Sequence, residues 1–123
     1  MSFPQRFTVT AAVDGSGDFT GYTPVVNGMI HAVEYVKTDY ANGVDFTITT
    51  EVTLQGVWTE SDVNAAKTVA PRQPTHSAVG VASLYAAAGE PVETLIAATN
   101  ERIKIVVASG GVSKTGTFHV IIV

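Results

Sequence analysis

The carboxylates with the best placement for acid/base chemistry are Glu34 and Glu51. They fall on two strand-like runs, one on each side of an Asn42-Gly43 turn, and could face each other across a hairpin. Exposed acids on the polar side of a hairpin are common, however, and no serine or cysteine nucleophile motif accompanies them. We therefore predict no catalytic residue and a protein that is not an enzyme.

Metal and cofactor chemistry is also disfavoured. His31, His76 and His119 are far apart and lack the close spacing of zinc ligands. Residues 14–18 alternate Asp, Ser and Asp as calcium loops do, but they lack the glycine and the late glutamate of an EF-hand loop. We interpret this segment as a turn, and no complete nucleotide-binding glycine motif occurs. The sequence predicts neither a metal nor a cofactor.

Composition narrows the classes of partner. The 123 residues are 46% hydrophobic and 15% charged, with a net charge of −4 from 7 basic and 11 acidic side chains. Without a basic cluster, binding to nucleic acid is not expected, and no apolar run reaches the length of a membrane span. Cysteine is absent, which excludes disulfides and thiolate metal sites. The first residues lack the features of a secretory signal, so synthesis is expected in the cytoplasm.

Alternation of apolar and polar residues predicts β-strands along most of the chain. Residues 6–13 alternate, and the turn at 14–17 is expected to lead into a paired strand at 18–22. A second hairpin is predicted from residues 25–37 and 44–52, because Asn-Gly favours the positive φ of a tight turn. Three further strands are expected near the C-terminus, at residues 92–98, 102–109 and 115–123.

The middle of the chain is less regular. Residues 54–73 are predicted to form a long, mostly irregular loop, with a possible helical turn because Thr59 and Asp62 have the spacing of a capping box. Residues 76–88 are rich in alanine and fit either a short helix or a strand.

These elements predict a single all-β domain over residues 1–123, an antiparallel β-sandwich or jelly-roll-like barrel with one long irregular loop. The expected inward side chains are the apolar members of the strands: Phe7, Val9, Ile30, Phe46, Ile48, Leu95, Ile103, Ile105, Val107, Phe118, Val120 and Ile122. The last four residues are apolar on both faces, so the outer face of the final strand must be covered by the fold or by a partner.

Four residues are candidates for contact with a partner. Trp58 lies in a polar segment and could be a sugar-stacking platform, a hot-spot anchor or a core residue. Arg72 lies between two prolines, which could present it rigidly to a partner or leave it as a solvated charge. Tyr40 and His76 complete the set of predicted interface residues.

Several segments together resemble small virion structural proteins of tailed bacteriophages. The similarity covers most of the chain and is carried by residues 6–10, 14–18, 22–28, 39–51, 102–108 and 116–120. It implies a non-enzymatic protein of the virion, made in the host cytoplasm. The expected role is a capsid decoration or cement protein that binds the major capsid protein or neighbouring virion proteins and is homo-oligomeric in the assembly.

Three alternatives remain open at the level of sequence. A neck or tail component, such as a stopper or collar ring, could use the loop at 54–73 to reach a neighbour. A carbohydrate-binding sandwich could use Trp58 together with the tyrosines. A hydrolase would need a concave site that joins Glu34 and Glu51.

Overall fold

Two antiparallel β-sheets pack face to face in the computed structural model, which describes residues 3–123. The all-β sandwich predicted from the sequence is therefore confirmed. The strands are β1 (Gln5–Ala12), β2 (Phe19–Tyr22), β3 (Val26–Lys37), β4 (Val44–Thr50), β5 (Gly56–Val63), β6 (Lys67–Val69), β7 (Gln73–Pro74), β8 (Glu93–Thr94), β9 (Ile96–Glu101), β10 (Ile103–Ala108) and β11 (Thr115–Ile122).

The first sheet has the order β1-β11-β3-β6, and β9 also pairs with β3. The long strand β3 pairs with β11 along one side, while its other side pairs with β9 through Val26–Ile30 and with β6 through Val33–Tyr35. The second sheet has the order β2-β10-β4-β5. The two-residue strands β7 and β8 pair only with each other. They belong to a separate projection between β6 and β9.

Most connections between successive strands cross from one sheet to the other. The predicted hairpin of β1 with β2, and the predicted hairpin of β3 with β4, are both wrong, because each pair is divided between the two sheets. The turn after β3 is a crossover in which Tyr40 is buried and its phenol donates a hydrogen bond to the carbonyl of Ala11, 2.5 Å away. Gly43 takes the expected positive φ of 87°, but the turn joins the sheets instead of pairing two neighbouring strands.

Aromatic rings from both sheets meet at the centre of the core. The ring centroid of Tyr35 lies 4.6 Å from that of Phe46 and 5.4 Å from that of Phe118. The edge-to-face and offset arrangements of these rings are the favourable ones for aromatic pairs. Around them lie buried branched aliphatic residues from the inward faces of both sheets. The alternation read from the sequence therefore identifies the core faces correctly in most strands.

The exceptions lie at strand ends. Leu95 is only half-buried, and its neighbour Ile96 occupies the core position at the start of β9. Strand β4 ends at the buried Thr50, so Val52, which fits the alternating pattern, lies in the following turn and is 70% exposed.

The long irregular loop predicted at residues 54–73 is also wrong. Most of it is strand β5, at the edge of the second sheet, and the short strand β6. No helical turn forms between Thr59 and Asp62. The pairing of β5 with β4 shifts register at two points, and Asp62 has a positive φ of 59°. These irregularities interrupt the two-residue period by which a strand is recognised in a sequence.

A buried carboxylate holds the turn between β4 and β5. Glu101 is only 4% exposed, and its side chain accepts hydrogen bonds from the amides of Val52 and Thr53 at 2.9 and 3.1 Å and from the Thr53 hydroxyl. Burial alone raises the pKa of Glu101, but the hydrogen bonds from Thr53 and Val52 outweigh it and hold the pKa below its usual value. The ionised carboxylate thus stabilises the folded turn.

The hydroxyl of Tyr35 generates a first prediction. It is buried in the aromatic cluster and has no hydrogen-bond partner among residues 3–123, and burial raises the pKa of Tyr35 to about 12. Removal of an unsatisfied buried hydroxyl relieves its desolvation cost. We expect Tyr35→Phe to increase the free energy of unfolding by about 1 kcal/mol in urea denaturation. A marked loss of stability would contradict this. Tyr40→Phe, which removes a hydroxyl that is bonded, should be destabilising and serves as the control.

Glu101 generates a second prediction, about pH. Because its folded-state pKa lies below its unfolded-state value, the carboxylate adds stability above the unfolded pKa and loses that contribution as the pH falls through the folded pKa. We expect Glu101→Gln to destabilise the protein at neutral pH by about 1–3 kcal/mol. The variant should also lose less stability than the wild type between about pH 5 and pH 3.

Urea denaturation across this range measures both effects. Glu93→Gln, at an exposed acid, controls for charge, and an equal decline in wild type and Glu101→Gln would refute the role of Glu101.

Candidate interaction surface

A projection of the chain leaves the first sheet between β6 and β9, and we call residues 70–95 the arm. β6 ends opposite Val33 of β3 and β9 begins opposite Ile30, so the two strands follow one another along the same side of β3. The arm is inserted at the break between them. The sheet edge is therefore an interrupted strand, and its interruption directs the inserted chain away from the core.

Backbone hydrogen bonds within the arm give it a defined shape. Three of its segments meet through backbone bonds of 2.8–2.9 Å. The amide of Thr75 donates to the carbonyl of Val92, the amide of Val92 donates to the carbonyl of Ser83, and the amide of Ser83 donates to the carbonyl of Thr75. Two tight turns close the ends, with Gly80 bonded to Ser77 and Gly89 bonded to Ala86. The arm is neither the helix nor the simple strand that the alanine-rich sequence allowed. It is a folded projection with its own ladder of hydrogen bonds.

The arm exposes several large apolar side chains within a short stretch of sequence. Val79, Val81, Leu84 and Tyr85 have exposed fractions of 84, 62, 44 and 77%, and the alanines around them are mostly exposed as well. Single exposed apolar residues are ordinary on a protein surface, but a cluster of them on one projection indicates a contact surface. Of these four residues only Tyr85 was considered at the level of sequence, among the tyrosines of a carbohydrate-binding sandwich. The signal available was an apolar run with no clear helix or strand period, bounded by Pro74 and Pro91.

Arg72 anchors the base of the arm. One of its guanidinium nitrogens donates hydrogen bonds to the carbonyl of His31, at 3.1 Å, and to that of Pro71, at 2.8 Å. His31 lies on β3 at the break between β9 and β6, where no ladder partner is present in the described residues. Pro71 is buried beside it. Arg72 thus satisfies backbone groups at the root of the arm, which is a structural contact.

The other predicted interface residues are divided between the arm and the core. His76 is exposed on the arm and forms an isolated bridge with Ala82. Trp58 is 7% exposed, packs edge-to-face on Phe46 at 5.4 Å, and donates its indole N–H to Glu60 at 3.0 Å. Tyr40 is buried at the crossover described above. Of the four, Arg72 lies at the base of the arm and His76 further along it, while Tyr40 and Trp58 are buried in the core.

The acidic residues considered for catalysis are separated. Glu34 lies on the first sheet, with His119 and Thr68 as cross-strand neighbours. Glu51 follows β4 in the second sheet and pairs with Arg102, whose guanidinium lies 4.0 Å from the ring centroid of Tyr22. The fold does not join the two acids in one site.

The Asp14 loop is a turn, as the sequence predicted. The Asp14 carboxylate accepts hydrogen bonds from the amides of Asp18 and Ser16, which lower its pKa. In the described part of the chain no group of three or more potential ligand side chains is placed to hold a metal ion. That stretch also contains no helix long and apolar enough to cross a membrane.

No protein-family model matches this chain, and no curated protein matches it. Function must therefore be inferred from the molecule itself. Within residues 3–123, the arm combines exposed apolar side chains with a backbone ordered by hydrogen bonds, and packing of the core does not explain this combination.

The contrast between Trp58 and Tyr85 can be tested by stability. Loss of the buried indole in Trp58→Ala should cost about 3–5 kcal/mol of unfolding free energy, because it leaves a cavity beside Phe46. Tyr85→Ala, on the exposed arm, should change the same quantity by less than about 0.5 kcal/mol. Trp58 is the only tryptophan, so unfolding is best followed by circular dichroism. Equal stability of the two variants would show that Trp58 is not a core residue.

Proposed function

We propose that this protein is a structural component of a tailed-bacteriophage virion, and specifically a decoration or cement protein on the outside of the head. The observation that carries the proposal is the arm, which holds Val79, Val81, Leu84 and Tyr85 exposed on a projection of defined shape. The resemblance of the strand and turn segments to small virion structural proteins supports the same role. The partner would be the major capsid protein or a neighbouring virion protein.

The arm is suited to binding a neighbouring protein. Burial of a valine, leucine or aromatic side chain contributes about 1.5–3 kcal/mol, and the folded protein leaves four such side chains exposed on the arm. The internal hydrogen bonds of the arm already order its backbone, so docking requires less loss of conformational entropy than it would for a flexible loop. A pre-ordered apolar projection thus favours insertion into a groove of a neighbour.

The charge of the arm adds to this picture. Among its exposed residues the charged side chains are Glu90, which borders the turn closed by Gly89, and Glu93, near the return to the sheet, while the turn with Val79, Gly80 and Val81 is uncharged. The surface that receives it is therefore expected to be an apolar groove. Many copies on a symmetric lattice would add such modest contacts to a strong total attachment.

A neck or tail ring is the alternative place in the virion. The segment at residues 54–73, which suggested that role, forms β5 and β6 and does not reach outward as a loop. The arm could serve a ring as well as a head lattice, and the number of copies per particle distinguishes them. A ratio near that of the major capsid protein supports decoration, whereas a ring-sized number supports the neck or tail.

The carbohydrate-binding alternative receives less support. Trp58, Tyr35 and Tyr40 are buried, and the ring of Tyr22 is covered on one side by Arg102. Tyr85 is the most exposed of the aromatic residues considered for sugar stacking. Its sequence neighbours on the arm, Leu84 and Ala86, are aliphatic, and Val79 and Val81 on the same arm are exposed, which favours an apolar contact over a sugar site.

A pair of matched variants tests the proposal. Val81→Asp places a charge on the arm, and Val112→Asp places the same charge on a similarly exposed valine in the connection between β10 and β11. The exposed fractions are 62% for Val81 and 68% for Val112. We expect Val81→Asp to reduce occupancy on virions about tenfold or more, since a desolvated carboxylate costs more than the contact it replaces. Val112→Asp should leave occupancy unchanged.

Occupancy is measured by quantitative mass spectrometry of purified particles, with particles lacking the protein as recipients for each purified variant. Circular dichroism confirms that both variants fold. Unaltered occupancy of Val81→Asp would exclude the arm as the attachment surface. Absence of the wild-type protein from virions would refute the virion role itself.

A further inference from the structure

Three of the four edges of the two main sheets carry features that disfavour pairing with another chain. Strand β2 has only four residues, and β5 has two register shifts with a positive φ at Asp62. The edge beside β3 is divided into β6 and β9 by the arm. Short length, bulges and interruption are devices by which proteins avoid extending their sheets.

Strand β1 lacks these protections. Its eight residues pair with β11 in unbroken register, from Gln5 opposite Ile122 to Ala12 opposite Thr115. On its other side no strand pairs with it in the part of the chain that the structure describes. The strand contains no proline, glycine, lysine or acid, and Arg6 is its one charge. It is a long, regular edge with unpaired backbone groups, of the kind that templates another strand.

Apolar side chains lie along this edge. Phe3, just before β1, is 75% exposed. Phe7 points to the core side of the sheet but is only half-buried and packs against the margin of the core. On the outer side of β1, Thr8 and Thr10 are exposed. A strand placed beside β1 would cover Phe7 and meet a threonine-rich outer face.

We propose that β1 pairs antiparallel with β1 of a second copy, which joins the first sheets of two molecules across a two-fold axis. The inward and outward faces match when the axis passes at Thr8, so that Thr8 lies opposite its own copy and Phe7 lies opposite Val9. Threonine pairs and aromatic pairs with β-branched residues are favourable cross-strand neighbours.

Charge favours the same occupant and register. Centred on Thr8, the pairing sets Arg6 opposite Thr10, so the one charge of each strand faces a neutral residue. A two-fold axis makes the contact self-complementary and closed, which a second copy of this chain satisfies without any other partner. The dimer uses a different surface from the arm, which remains free for the proposed attachment.

The absence of cysteine in the chain allows a direct test. Residues directly opposite in an antiparallel pair have Cα atoms about 4.5–5.5 Å apart, within the range that a disulfide spans. We expect Thr8→Cys to form a covalent dimer rapidly under mild oxidation. Thr59→Cys, at an exposed position on the β5 edge, should cross-link much more slowly. Equal rates for the two variants would overturn the proposal.

Sedimentation velocity over a concentration series gives an independent measurement. The wild type should show a reversible monomer–dimer equilibrium, and Thr8→Lys, which sets two like charges across the axis, should raise the dissociation constant about tenfold or more. Thr10→Glu should lower it, because the new acid lies opposite Arg6, and this variant remains informative if Thr8→Lys is unstable. A wild type that stays monomeric throughout, or a Thr10→Glu variant that dimerises less, would refute the pairing at this register.

Discussion

The pairing of β3 on both of its sides is the constraint on which the rest of the structure depends. β11 covers one side of this strand and brings β1 with it, while β6 and β9 share the other side. Tyr35, at the centre of the aromatic cluster, belongs to the same strand. Because β6 and β9 leave a break opposite His31, the chain between them has to leave the sheet there. The arm and its anchor, Arg72, thus follow from how one strand is paired.

Some parts of the surface disfavour contact with another chain, and two parts favour it. Bulges, short strands and the interrupted edge of β3 close three sheet edges. The arm and the β1 edge remain open, one through apolar side chains and the other through backbone groups. The two kinds of contact differ in what they select: side chains in a groove discriminate by shape, whereas strand pairing is specified by register. A protein that assembles with two kinds of neighbour could use one of each.

Polar groups in the interior mark places where the fold is held by specific bonds. Glu101 ties the β4–β5 turn to the strand that ends beside it, and Tyr40 ties a crossover to β1. Both side chains restrain connections between strands. Tyr35 differs, because its ring contributes packing while its hydroxyl has no bond in the described structure.

Much of the candidate site was beyond sequence reasoning. Arg72 was singled out because prolines lie on both sides of it, and the structure gives it a backbone contact at the base of the arm. Trp58 and Tyr40 have the same aromatic character in the core as they would have at an interface. Composition alone does not distinguish a buried ring from an exposed one. Val79, Val81, Leu84 and Tyr85 lie in a run that fitted either a short helix or a strand, and only their position on the arm shows that the fold leaves them uncovered.

The sequence by itself determined the all-β class and most of the core, because the two-residue period of side chains is a local property that each strand carries in its own residues. Tertiary structure decided which strands pair. Strands β3 and β4, on either side of Asn42-Gly43, were expected to form a hairpin. The chain instead crosses to the other sheet there, and Tyr40 is buried in the crossover. Partners in a sheet are chosen by contacts distant in sequence, and register shifts such as those of β5 erase the local period. Strand order, the arm and the open β1 edge therefore exist only in the folded molecule.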